Sequence, residues 1–232
     1  QGRIAGAETM VALEDAYLPY RPKRRTRALI AREKGLEPLA AQLLEQSPAM
    51  RPEEAAQTFI KAGEEPGGSV ESAEEALAGA RDIIAEQVSE DAAARNDLRE
   101  FFVRKAAAAS SLVKGKEEEG AKFRDYFNWQ EPAAHAAGHR LLAMLRGEKE
   151  GVLNVRFLPE AEPAMERLRR LFVKNASPAG MQVREAVDDA YKRLLAPSLE
   201  TELRNALREK AEREAIGVFA SNLRELLLAA PL

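Results

Sequence analysis

Ser72-Ala-Glu-Glu-Ala-Leu-Ala-Gly-Ala-Arg-Asp-Ile-Ile-Ala-Glu-Gln-Val88 is the stretch whose reading sets the fold class. It opens with Ser72-x-x-Glu75, the spacing of a capping box, in which a hydroxyl and a carboxylate satisfy amides that a helix start leaves unpaired. Ala76, Leu77, Ala80, Ile83, Ile84 and Val88 then recur at mostly three- and four-residue intervals, along one helix face. A cap followed by an apolar stripe specifies an amphipathic helix, and the same grammar repeats on both sides of it.

Toward the N-terminus, Glu64-Glu-Pro-Gly-Gly-Ser69 reads as a loop, and Pro52-Glu-Glu as a helix start with proline in the first turn and acids near the positive end of the dipole. Leu36, Leu39, Leu43 and Leu44 give a further helix its stripe. Thr26 caps a short helix running to Lys34, with Gly35 as the residue beyond its end. Pro19 and Pro22 enforce an extended or turning passage after a helical pattern over Ala7–Tyr17. Gln1–Gly6 lacks an initiator Met, and the chain is expected to be a fragment of a longer protein.

Toward the C-terminus, Asp91 caps a helix through Leu98, Phe101 and Phe102, which is expected to continue into the small-residue run Ala106–Ala109 until Lys114-Gly-Lys116 interrupts it. Phe123, Tyr126, Phe127 and Trp129 form a dense aromatic cluster, placed on a short helix and read as core. Pro132 is expected to start a helix that ends at Gly147. Gly151–Leu158 differs: Leu153, Val155 and Phe157 alternate with polar residues in a β-rich run, so one short extended segment is expected near 152–158. A lone strand cannot satisfy its own backbone, and two options stand open for its partner: another segment of this chain, or one outside it. Helices resume over Ala164–Lys174, Val183–Leu195 and from about Pro197 to Ala229, the last with Leu203, Leu207, Ala211, Ile216, Phe219, Leu223 and Leu227 as its stripe. The expectation is a mainly all-α, multihelical region over 1–232, with sub-units 1–68, 69–150 and 151–232.

Composition agrees. Of 232 residues, 45% are hydrophobic and 31% charged, enough for a sizeable core, and only 6% are aromatic. Ala, Leu, Glu and Arg, which lose little freedom in a helix, dominate. The absence of cysteine excludes disulfides and thiolate zinc sites and suits a cytoplasmic location. No apolar run is long enough to span a bilayer, so no membrane association is expected.

The net charge of −3 hides an asymmetry. Glu37–Glu100 holds 15 acids against 5 bases, a balance of −10, whereas Arg21–Lys34 holds 7 bases and one acid, Glu33. Arg21, Lys23, Arg24, Arg25 and Arg27 cluster on a proline-stiffened segment flanked by Tyr17 and Tyr20, a combination able to neutralise phosphates and stack on bases. Two readings stand open: nucleic-acid contact, or packing against the acidic helices of the same chain. A looser basic region, Arg104, Lys105, Lys114, Lys116, Lys122 and Arg124, surrounds Glu117, Glu118 and Glu119, and charge pairing explains it better than a phosphate track. His135 and His139 lie four apart but lack a third ligand and the catalytic Glu of a zincin, so no metal is expected. No nucleophile triad, phosphate loop or dinucleotide fingerprint is present, and neither catalysis nor a cofactor is expected.

Leu13-Glu-Asp-Ala-Tyr-Leu-Pro-Tyr-Arg-Pro-Lys-Arg-Arg-Thr-Arg27 resembles the Tex family's typical LEDLYLPYKPKRRTR, and the likeness continues through Ala31–Leu39. Ala78–Ala85, Gly115–Phe127, His139-Arg140, Leu145–Val152, Pro197–Glu200 and Phe219–Leu228 follow in the family's order. It departs at His135-Ala-Ala-Gly-His139, where the family reads closer to IPSHR. The resemblance implies a multidomain cytoplasmic transcription accessory protein that binds nucleic acid, RNA or DNA, and engages RNA polymerase or other transcription proteins. It also implies a helix-turn-helix-like unit, part of it expected upstream of Gln1. An RNase-H-like domain, a helix-hairpin-helix module and an OB-fold RNA-binding domain are expected after Leu232. The expected role is a helical scaffold contributing non-sequence-specific nucleic-acid contact, the alternative being a protein-docking module.

Overall fold

Mainly α-helical architecture, with one small antiparallel sheet, is what this sequence adopts. The computed structural model describes residues 25–61 and 68–228. Its elements in chain order are α1 (Arg27–Glu33), α2 (Glu37–Glu45), α3 (Pro52–Gln57), α4 (Ala73–Glu90), α5 (Ala92–Lys105), β1 (Ala107–Leu112), β2 (Asn128–Pro132), α6 (Gly138–Lys149), β3 (Leu153–Leu158), α7 (Ala161–Phe172), α8 (Pro178–Asp189) and α9 (Ala196–Leu228). The pattern over Ala7–Tyr17, the passage at Pro19 and Pro22 and most of the Glu64–Ser69 loop lie outside the described residues. The chain divides into two compact units, one running to Leu98 and including Glu162–Ala196, the other made of Arg99–Ala161 and the residues from Pro197 onward.

In the first unit the local signals act as read. Thr26 Oγ1 accepts from the Leu29 amide at 3.0 Å, and Gly35 turns the chain with φ +77° after α1. Ser72 Oγ accepts from the Glu75 amide at 3.1 Å, while the Glu75 carboxylate reaches back to the Glu71 amide at 2.7 Å, one residue beyond the usual partner in a capping box. Ala76, Leu77, Ala80, Ile83, Ile84 and Val88 are all buried on α4, against which α1, α2, α3 and α8 pack. Leu36, Leu39, Leu43, Leu77, Ile83 and Ile84 are almost wholly out of water, each contributing about 1.5–3 kcal/mol relative to exposure. Gly79 makes the close approach feasible: a Cβ there would sit 2.4 Å from Leu36 Cδ1.

Gln46 ties distant parts of this unit together. It closes α2 in the left-handed region (φ 56°, ψ 40°) and is 1% exposed. Its amide nitrogen donates to the Phe172 carbonyl at 2.7 Å, and its amide oxygen accepts from the Lys174 amide at 2.8 Å. Asn175 Nδ2 donates to the Gln46 carbonyl at 2.9 Å. The link between α7 and α8 is thereby fixed to the end of α2. Ser177 caps α8, which runs on through a π-helical turn (Ala190–Leu195) that buries Tyr191 and Leu195. Burial pushes the Tyr191 hydroxyl up to about 12.

The second unit holds the departures from expectation. The helix capped by Asp91 stops at Lys105, and Ala107–Leu112 is the central strand of a sheet ordered β2-β1-β3, antiparallel on both sides. Alanine favours helix locally, but β1 is fixed by long-range pairing: Ala108 opposes Phe157, Ser110 opposes Val155, and Leu112 opposes Leu153. The extended segment near 152–158 is therefore β3, and its partner is present in the chain. Leu153, Val155 and Phe157 face inward as their alternation required.

The outer edge of β3 is closed by side chains. Glu148 accepts from the Val155 amide at 3.3 Å and Glu200 from the Phe157 amide at 2.9 Å. Arg204 donates to the Val155 carbonyl at 2.5 Å and pairs with Glu148. The aromatic cluster is split. Phe123 is buried on a 3₁₀ turn (Ala121–Tyr126), whereas half-buried Trp129 sits on β2, edge-on to Tyr126 with ring centroids 6.2 Å apart. Pro132 closes β2 instead of opening a helix, because the Ala133 amide extends the pairing to the Ala106 carbonyl at 2.8 Å; α6 begins only at Gly138 and runs to Lys149. On α9, Leu199, Leu203 and Ala211 are buried, but every described residue from Glu212 onward is exposed, Ile216, Phe219, Leu223 and Leu227 included.

Candidate nucleic-acid interface

Of the seven candidate contact residues, Tyr17, Tyr20, Arg21, Lys23 and Arg24 lie outside the described residues. Arg25 and Arg27 lie at the start of α1, both exposed. Arg25 reaches Glu33 at 3.2 Å, with its own side chain 72% exposed, and an ion pair so solvated holds its partners weakly. The basic residues farther along are engaged with α4. Arg32 Nη1 lies 2.5 Å from Glu86 Oε2, Thr26 Oγ1 donates to Glu86 Oε1 at 3.1 Å, and Lys34 Nζ lies 2.5 Å from Glu75 Oε1. The Lys34 ammonium, with the Glu71 amide, holds the Glu75 carboxyl below its ordinary value. The two readings of the basic segment thus divide along its length: Arg32 and Lys34 are spent inside the fold, while Arg25 and Arg27 stay accessible.

Part of the acidic excess is also engaged by cations. Arg193 holds Asp82 at 2.9 Å and Asp189 at 2.5 Å, and Arg167 holds Asp97 at 3.0 Å. Arg81 meets Glu74 at 2.8 Å and Glu185 at 3.2 Å. Burial keeps the Asp82 carboxyl above its ordinary value despite the pull of Arg193 and Arg27. Arg169, with a side chain only 11% exposed, collects Asp188, Glu166 and Glu162 at 2.5–2.8 Å, and the Asp188 hydrogen bonds above all drive its guanidinium still further up. Within Glu37–Glu100, however, Glu37, Glu54, Glu74 and Glu100 stay well exposed in their pairs and remain reachable from solvent.

The looser basic region is paired in part, as its Glu content suggested: Arg104 with Glu100, Lys116 with Glu119, and Lys122 with Glu150 at 2.6 Å. His135 sits on a 3₁₀ turn and His139 on α6, both exposed. Among the described residues no three His, Cys, Asp or Glu side chains gather to hold a metal ion. No helix among them is long and apolar enough to cross a membrane.

The pair α1–α2, joined by Lys34-Gly35-Leu36, has the spacing of a helix-turn-helix. Its second helix carries Glu37 and Glu45, no cation, and a face buried through Leu39, Ala40 and Leu43, which is poor equipment for a major groove. Lys174 and Arg184 line one cleft, and nothing in the sequence reading brought the two together. Ten residues apart and separated by a loop, they form no run or periodic pattern, and only the turn from α7 into α8 brings them to one cleft.

The sequence that folds this way has counterparts among known proteins. The family described as Tex central region-like matches residues 47–219, and the chain belongs to the Tex family. It is similar to the protein tex of Bordetella pertussis (strain Tohama I), 43% identical over the whole chain and 30% of that protein. It is likewise similar to the protein YhgF of Escherichia coli (strain K12), 44% identical over 94% of the chain and 29% of that protein. The transcriptional accessory protein Tex of Neisseria gonorrhoeae is 41% identical over the whole chain and 30% of its own length. The chain therefore spans about 30% of the length of these curated relatives.

Proposed function

We propose that this region is a helical scaffold within a cytoplasmic transcription accessory protein, and that Tyr17–Arg27 adds a non-sequence-specific contact to nucleic-acid phosphates. The observation that carries the reading is the contrast along the basic segment: Arg25 and Arg27 face solvent where Arg32 and Lys34 are held by Glu86 and Glu75. Family membership supports the transcriptional setting, since a relative bears the name transcriptional accessory protein. Contact through backbone phosphates fits a cluster of Lys and Arg without a recognition element for base edges. RNA polymerase or another transcription protein is the expected partner of the whole protein, together with its remaining domains. The region itself is read as non-catalytic, and metal-dependent turnover of a nucleic acid by this chain would overturn that part.

The test is binding of single- and double-stranded DNA and RNA across a salt series, with Arg24, Arg25 and Arg27 changed together to Ala. Three lost phosphate contacts lower the slope of log K against log salt by about 2–3. An unchanged affinity and slope in the triple variant removes the basic segment from the mechanism.

A further inference from the structure

We propose that the cleft between the end of α7 and the start of α8 is a binding site for a phosphoryl anion. The cleft encloses about 230 Å³, room for a phosphoryl group with part of its hydration. Its surface is mostly apolar, Lys174 and Arg184 are its charged lining residues, and no carboxylate lines it. Cations of the same unit differ in this respect: Arg27, Arg170 and Lys192 are exposed and make no ion pair among the described residues, whereas others are matched to acids. Arg32, Lys34, Arg81, Arg169 and Arg193 each hold at least one carboxylate. Arg184, by contrast, is exposed and has no hydrogen-bond or ion-pair partner among the described residues. Lys174 Nζ spends one N–H on the Leu44 carbonyl at 3.1 Å, which anchors the ammonium and leaves its other two free.

The walls are preorganised. Gln46 fixes the Phe172 carbonyl and the Lys174 amide, and Asn175 bonds to both the Gln46 carbonyl and the Ser177 amide. Gly180 lies so close beneath the loop that a Cβ there would meet the Asn175 carbonyl at 2.2 Å. The loop backbone that an anion would meet is therefore already ordered, while the Arg184 side chain would still be fixed on binding. A guanidinium fork together with a separate point charge suits a group presenting three or more oxygens better than a carboxylate with two. The phosphoryl group has two sources, free phosphate or the phosphodiester of a nucleic acid. The assignment does not depend on the basic segment at Tyr17–Arg27.

The test uses this chain, isotopically labelled, titrated with sodium phosphate against sodium chloride at equal ionic strength. The expected result is a saturable shift of amides within Lys174–Arg184, weakened at least tenfold by Arg184→Gln and by Met181→Glu, which sets a carboxylate on the exposed rim. Both positions are exposed, so both variants should retain the parent Tm. A short single-stranded oligonucleotide then separates the sources. A salt slope lowered by about 0.7 in Arg184→Gln assigns the site to a phosphodiester, and an unchanged slope assigns it to free phosphate. No saturable shift, or one that persists undiminished in both variants, overturns the proposal.

Discussion

Replacing Gln46 tests whether one amide side chain holds α2 to the α7–α8 link. Gln46→Ala removes the bond to the Phe172 carbonyl and the bond from the Lys174 amide, a loss of about 2 kcal/mol. The one methylene lost, Cγ, forfeits its burial for about 0.8 kcal/mol more, giving about 3 kcal/mol in all. Gln46→Gly loses the same contacts but relieves the left-handed backbone by about 1 kcal/mol, so its net cost is about 2 kcal/mol. Urea unfolding followed by far-UV circular dichroism should rank the parent above Gly and Gly above Ala. In thermal scans Ala should lower the Tm by about 6–12 °C. Hydrogen exchange should quicken first at the Lys174 amide. A cost below about 0.5 kcal/mol for Ala would refute the bridging role, and equal costs for Ala and Gly would refute the strain argument.

Three further outcomes follow from the charges and from α9. Arg169→Met strands Asp188, Glu166 and Glu162 around a largely buried gap and should destabilise the protein by about 3 kcal/mol in urea; a change near zero would show that water already carries those acids. Glu75 has its folded value held below the unfolded one, so its stabilising contribution is present above the unfolded value and is lost as pH falls through the folded one. Lys34→Met should raise the Glu75 titration midpoint measured by NMR, and an unmoved midpoint contradicts the pairing. A chain ending at Ala215 should keep its Tm within about 1 °C, since every described residue beyond that point is exposed; a larger fall means those residues pack in solution.

Legibility in the sequence followed the range of the interactions. Thr26, Gly35, Ser72 and Asp91 act on amides or turns within a few residues, and each does what its type and spacing indicate. The strand β1 was not legible, because Ala107-Ala-Ala-Ser-Ser-Leu112 favours a helix by itself and becomes a strand through a partner more than 40 residues away. The alternation of Leu153, Val155 and Phe157 was readable, but nothing in an alanine run announces that it is the partner. The stripe on α9 was legible as helical period, yet period does not say what covers it: Leu203 is buried and Phe219 is not. The run of basic residues from Arg21 to Lys34 was readable, but not which of its described cations the fold engages. Which cations Glu86 and Glu75 would take depends on how α1 lies along α4. Lys174 and Arg184 gave no signal because a cleft is made by a turn in space and leaves no spacing to find.

The interleaved chain has a consequence during synthesis. The first unit needs α7 and α8, which emerge only after all of Arg99–Ala161 has been made. The second unit in turn waits for α9, whose Glu200 and Arg204 close the edge of β3. At about 5–20 residues per second, the roughly 100 residues between Leu98 and Ala196 hold α4 without part of its cover for about 5–20 s. During that interval α4 lacks the cover that α8 supplies in the finished fold, so the nascent chain passes through a partly open state that the completed protein does not.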